Sequence, residues 1–479
     1  MRPGISRRQL LGAAAALSVA GLAPRRGEAR AASRRWSAPT AAQLPARGEF
    51  VVRDAYVLTM DPALGDLPRG DVHVRDGEIV AVGAGLVAPD AEVIDGQGMI
   101  VLPGLVETHW HLWNTLARSM AGDRPENGYF PLVLRLGRQF TPEDAYRAVR
   151  LALADALYSG ITTVHNWAHN LRGPAYADAE LRAHVEVGLR ARFSYGAPQG
   201  HPPDAPIDLA DLERVQQEWF ATGRAPLLTL GLAARGPATN PPAVYRREWE
   251  TARRLGIPIS VHVATSRQRA EQQEIGTLGR EGLLGPDVQL IHAIYATPAD
   301  RALMARTGTS LSISPWTELL IGFGFPQINE MLADGVLVSL SVDTTALSGT
   351  ADMFSIMRVT VNLAHGQAET EFGIGTRRVL EMATIEGARD LGLADRIGSL
   401  TPGKRADLIL VRTTDVNIAP FTDPVHMLVL AAQPANVDTV VVDGRILKRG
   451  GELVALDVEQ VVREAAESLA AVRARAGES

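Results

Sequence analysis

Pro103-Gly104-Leu105-Val106-Glu107-Thr108-His109-Trp110-His111 is the stretch from which the fold of this 479-residue chain is read. A short apolar run over residues 99–102 and the Pro-Gly pair lead into it, so the two histidines fall at the end of a buried strand. Residues i and i+2 of a strand share a face, which aims His109 and His111 the same way and turns Trp110 elsewhere. Two imidazoles aimed together at a strand end can hold one metal ion. By itself His-x-His is a weak signal; its weight comes from residues far downstream.

Over residues 102–393, apolar strand-like runs alternate with amphipathic helical stretches such as 141–159 and 242–255. With residues 99–105 as the first, the strand runs are 161–165, 191–195, 227–232, 259–263, 288–292, 310–314 and 336–343. Eight β/α units predict an α/β protein with a (β/α)8 TIM barrel, whose active site lies at the C-terminal ends of the strands. At those ends stand His109 and His111 (strand one), His262 (strand five), His292 (strand six) and Asp343 (strand eight). Each alone has a structural explanation, but five at one end of a barrel form a site.

On either side of the barrel the pattern is short β runs with Gly turns. Residues 48–101 include an Asp76-Gly77 hairpin signal, and the same character returns over residues 394–455. The simplest reading is one small β-sandwich completed by both ends of the chain. Residues 456–479 read as a C-terminal helix with a polar face, packed on the outside.

Composition narrows the chemistry. The chain has no cysteine, which excludes thiolate nucleophiles, Cys-ligated zinc and disulfides, so a metal must be held by nitrogen and oxygen. A net charge of -6 with interspersed signs gives no reason to expect a nucleic-acid or membrane partner. Ser6-Arg7-Arg8-Gln9-Leu10-Leu11, an Ala-rich apolar run and a small-residue site at Ala29-Arg30-Ala31 read as a twin-arginine signal peptide over residues 1–31. That predicts export of a folded protein to the periplasm or the exterior.

With the Pro-Gly-x-x-x-x-His-x-His entry, the split β module and the run Gly398-Ser-Leu-Thr-Pro-Gly403-Lys-Arg-Ala-Asp-Leu408 in hand, the chain resembles the amidohydrolase superfamily, in its cytosine-deaminase/chlorohydrolase-like branch. The resemblance implies His109, His111, His262 and Asp343 as ligands of one divalent ion, Zn2+ or Fe2+, and His292 as a group facing the attacking water and the substrate. Such an ion lowers the pKa of a bound water from 15.7 towards ~7. Asp343 then shuttles the proton to the leaving group, and His292 donates to the oxyanion. Two-metal members of the superfamily use a carboxylated lysine after strand four. Here strand four runs into Ala233-Ala234-Arg235, and the two lysines, Lys404 and Lys448, lie outside the barrel, so one ion is expected.

The chain also departs from the branch. Its deaminases carry His-x-x-Glu after strand five, the Glu protonating a ring nitrogen; here the run is His262-Val-Ala-Thr265. This favours a hydrolase cleaving a C–N bond (amide, urea-like or aryl-amine) or a C–Cl bond of a small aromatic or heterocyclic molecule. Deamination of a purine, pyrimidine or triazine-like ring stays open, as does a catalytically silent ligand-binding barrel. Glu318, after strand seven, is either a replacement carboxyl or a solvent-facing residue. Trp110, Trp113, Trp167 and Trp316 are candidates for an apolar substrate wall, and His165, His169, Arg235 and Thr265 for polar substrate contacts, with Arg235 matched to a carboxylate. Relatives of this shape leave a homodimer open.

Overall fold

The computed structural model describes residues 44–478; the expected signal peptide at residues 1–31 lies outside the described residues. In chain order the first strands are β1 (Phe50–Val57), β2 (Leu67–Arg75), β3 (Glu78–Gly83), β4 (Glu92–Asp95) and β5 (Met99–Pro103). The barrel follows with β6 (Leu105–Val106), β7 (Ile161–Ala168), β8 (Arg190–Gly196), β9 (Leu228–Ala234), β10 (Ile259–Val263), β11 (Val288–His292), β12 (Ser310–Ile313) and β13 (Val338–Leu340). The chain then returns to the small module with β14 (Leu408–Arg412), β15 (Val437–Val442), β16 (Arg445–Arg449) and β17 (Glu452–Leu453).

Among the described residues the small module is one nine-stranded, mostly antiparallel sheet, ordered β17-β16-β15-β14-β5-β1-β2-β3 with β4 beside β1. Asp76 and Gly77 link β2 to β3 with φ of 53° and 82°, the left-handed pair that a two-residue type I′ hairpin needs. Both chain ends meet where β5 pairs antiparallel with β14. The inner side closes over a core of its own that includes Phe50, Val52, Val72, Ile79, Val101 and Leu408. A buried bidentate pair fixes this module to the barrel, Arg190 Nε and Nη2 donating to Asp407 at 2.7 and 3.0 Å.

Barrel strands β6 to β13 run parallel and lie side by side in sequence order. The expected first strand, residues 99–105, is in fact two: β5 belongs to the small sheet, and only β6 enters the barrel. Gly104 makes the crossing possible, because a Cβ there would sit 2.1 Å from Thr162 Oγ1. The seam between the first and last strands is sewn by Thr108 N to Leu340 O (3.3 Å), Asp343 N to His109 O (2.8 Å) and His111 N to Asp343 O (2.8 Å). Branched apolar side chains commonly fill such a barrel. Part of this one is instead a chain of hydroxyls, Ser339, Thr108, Ser312, Ser341 and Ser314, each 2.7–3.0 Å from the next.

The C-terminal helix, Val458–Arg475, starts at Asp457, whose Oδ1 accepts the Gln460 N–H. It buries Val461, Ala465 and Val472 and packs on the helix Pro142–Tyr158 and on the short turn Leu112–Ala117 that comes after His111. Among the described residues no helix is long and apolar enough to cross a membrane.

Candidate metal centre and active site

Where the barrel strands end, five side chains converge. His109, His111 and His262 form one group of mutually close donor atoms, and His109, His292 and Asp343 a second, sharing His109. His262 Nε2 lies 3.1 Å from His109 Nε2, and Asp343 Oδ1 lies 3.4 and 3.3 Å from the Nε2 atoms of His109 and His111. Ligand atoms ~2.0–2.1 Å from one tetrahedral zinc lie about 3.3 Å from each other. The spacing therefore fits donors sharing an ion, whereas packing alone gives no reason to press two imidazole nitrogens together in a buried site.

Protonation agrees. Burial lowers the His109 imidazole to about 3, and burial with the neighbouring imidazoles takes His262 well below the ordinary range. Burial works against ionisation of Asp343, but hydrogen bonds from His109 and His111 hold its carboxyl well below the usual range. Neutral imidazoles beside an ionised carboxylate are what a divalent ion requires.

A second layer sets these groups in place. Glu107 is fully buried; its Oε1 accepts the backbone N–H of His109 (2.7 Å) and Val342 (3.2 Å), and its Oε2 that of His165 (3.2 Å). One carboxyl thus ties the ends of three strands, with burial raising its pKa to about 8. Glu318 accepts from His292 Nδ1 and from Ser314 N, both at 2.9 Å, which turns His292 Nε2 towards the centre. Thr317 Oγ1 donates to Asp343 Oδ2 at 2.9 Å. Ala264, His292 and Asp343, at the ends of three strands, have φ of 46°, 69° and 61°. Non-glycine residues rarely adopt that region, and such strain gathers at functional sites.

The centre opens into a cavity of about 250 Å3. Tyr129, Phe130, Trp167, Ile321 and Phe323 form its apolar wall, and His169, Gln199, Thr265 and Arg269 add polar groups. Of the four tryptophans expected there, Trp167 lines it. Trp110 does not: as the alternate residue of its extended run it faces the hydrophobic core and is 0% exposed. Trp113 stands one layer back, donating from Nε1 to His169 Nδ1 at 3.2 Å, and Trp316, on the first turn of the helix Pro315–Leu320, does not line the cavity.

His165 also stays out, its ring nitrogens engaged by Thr108 O (2.8 Å) and Ser194 Oγ (2.7 Å). Arg235 reaches the cavity edge, but its guanidinium donates to the carbonyls of His201, Pro202 and Ala205 and so pins a loop instead of awaiting a carboxylate. Glu318 is neither solvent-facing nor on the cavity wall; it is buried behind His292. Sequence reading passed over Glu107, although it shares a strand face with His109. It also passed over Arg269, one helical turn beyond Thr265, whose Nη2 donates to His262 O at 2.9 Å and pairs with the buried Glu274.

Residues 100–447 match the family described as the amidohydrolase family. The chain belongs to it. Among related amidohydrolases, a 5'-deoxyadenosine deaminase of Methanosarcina mazei is 30% identical over 430 residues, 87% of this chain and 96% of that protein. A 5-methylthioadenosine/S-adenosylhomocysteine deaminase of Desulforudis audaxviator is 32% identical over 436 residues, 87% of this chain and 97% of that protein. Among solved structures, an adenosine deaminase from Xanthomonas campestris with bound zinc superposes with a TM-score of 0.80 at 25% identity, over 90% of this chain and 100% of that one. Atrazine chlorohydrolase from Arthrobacter aurescens TC1, complexed with zinc, shares the fold at a TM-score of 0.78 and 21% identity, over 88% of this chain and 100% of that one. This amidohydrolase is thus a metal-dependent hydrolase acting on C–N bonds other than peptide bonds.

Proposed function

We propose that the enzyme holds one ion, zinc, on His109, His111, His262 and Asp343 and hydrolyses an amide- or urea-type C–N bond borne by a small heteroaromatic molecule. The observation that carries this is the carboxylate inventory of the cavity. Asp343 is the one carboxylate on its wall among the described residues, and Thr265 stands where the branch's ring deaminases place a glutamate. Bound zinc supplies a Lewis acid that acidifies water and polarises the bond to be cut. Asp343 takes the proton of the attacking water and passes it to the leaving nitrogen. His292, oriented by Glu318, donates from Nε2 to the developing oxyanion. Trp167 and Phe323 give the cavity an aromatic wall suited to a flat substrate. Such a reaction asks for one proton shuttle and no second carboxyl to protonate a ring nitrogen.

A second reading, deamination of 5'-modified adenosines, is favoured by the full-length similarity to proteins of that activity. Ammonia release and product analysis decide between them, on a panel of heteroaryl amides, aryl ureas, 5'-deoxyadenosine and 5'-methylthioadenosine. The first reading expects turnover of an amide or urea by the native enzyme, and nucleoside deamination only after Thr265→Glu. Efficient deamination of either nucleoside by the native enzyme overturns it. The Ser6-Arg7-Arg8 segment supports action outside the cytoplasm, which signal-dependent export of a fusion would test.

A further inference from the structure

At the opposite end of the barrel, where β9 to β12 begin, lies a second cavity of about 520 Å3. Arg192 projects into it. Arg192 is 4% exposed, yet among the described residues no group lies within hydrogen-bond or ion-pair distance of its guanidinium, and Nε is fully enclosed. Thr229, its direct register partner across β8 and β9, also lines the cavity, and Thr229 Oγ1 is buried without a partner. Gly231 leaves room for the arginine stem, since a Cβ there would lie 3.3 Å from Arg192 Cδ.

The nearby acid does not satisfy Arg192. Asp390 accepts from Ser310 Oγ, Ser339 Oγ and Gln289 Nε2 at 2.5–2.6 Å, so its oxygens are already engaged. Gln289, with its amide nitrogen spent on Asp390 and on Thr108 O, keeps a buried Oε1 without a donor. Phe220, Leu230, Leu255 and Ile257 supply apolar wall. A guanidinium does not deprotonate in a protein, so burying one unpaired is costly unless an anion meets it.

We propose that this cavity is a binding site for a small organic carboxylate with an apolar body and a hydroxyl or amino group beside the carboxylate. The Arg192 fork and the Thr229 hydroxyl donate to the carboxylate oxygens, and Gln289 Oε1 accepts from the neighbouring hydroxyl or amino group. The apolar body lies against Phe220 and Leu255. The site is distinct from the metal centre, which occupies the other ends of the same strands.

Mandelate is the probe, with neutral mandelamide as control, followed by thermal unfolding of the metal-loaded protein and by calorimetric titration. Mandelate well above its Kd is expected to raise Tm by about 2 °C or more, and mandelamide is not. The response should vanish in Arg192→Met, fall in Thr229→Val and persist in Asp343→Asn, which alters the metal centre only. Absence of a response in the native protein overturns the proposal, as does a response unchanged in Thr229→Val. The latter decides the matter even where Arg192→Met fails to fold.

Discussion

His109 stands in the middle of the centre, against His262, Asp343 and, through its backbone, Glu107. In the proposed mechanism its neighbour Asp343 carries both ligation and proton transfer, so Asp343→Asn is expected to lower kcat by about 10³-fold or more, with single-turnover assays locating the loss in chemistry. Glu318→Gln leaves the shape but weakens the grip on His292. We expect kcat to fall roughly 10- to 100-fold with KM little changed, since a partner behind a working imidazole commonly costs that much. The convergence of these side chains was legible because strand alternation and strand ends are one-dimensional rules that His109, His111 and His262 obey. Trp110 obeyed the same rule, which puts it on the opposite face from the histidines. Trp113 and Trp316 were not legible, because each sits on a short helical turn after a strand, where the direction of a side chain is set by neighbours distant in sequence.

At the scale of elements, the helix Pro174–Val187 presses an acid against β7. Glu180 is fully buried, accepts one hydrogen bond from Asn166 Nδ2 at 2.9 Å, and leaves Oε1 without a donor. Burial raises its carboxyl to about 8. A pKa higher in the folded than in the unfolded state contributes stability below the unfolded value, about 4.5, and loses it as pH rises towards 8. Glu180→Gln should therefore flatten the decline in unfolding free energy between pH 5 and 8 by up to about 1.4 kcal/mol per pH unit, read from urea melts at both ends of that range. The barrel strands themselves were visible as apolar runs between helical stretches. The division of the first one was not, because β5 and β6 are both apolar and only Gly104 separates them, and only pairing with β14 shows to which sheet β5 belongs.

For the whole molecule, the barrel seam runs through the metal centre. The hydrogen bonds joining the first and last strands come from His109, His111 and Asp343, and Thr108 next to them. Chelation is accordingly expected to lower Tm and to speed amide hydrogen exchange over residues 105–111 and 338–344 more than in β8 or β9, measured by mass spectrometry with and without zinc. Uniform protection in the metal-free protein would show that the seam holds unaided.

That arrangement bears on how such a protein can change over time. A residue of the cavity wall such as Thr265 takes no part in closing the barrel, and exchanging it leaves the ring intact. His109, His111 and Asp343 serve twice, their side chains at the centre and their main-chain groups at the closure of the barrel. Since every non-proline residue offers the same N–H and C=O, a lineage that abandoned catalysis could lose those side chains and keep the ring, its walls drifting towards new molecules.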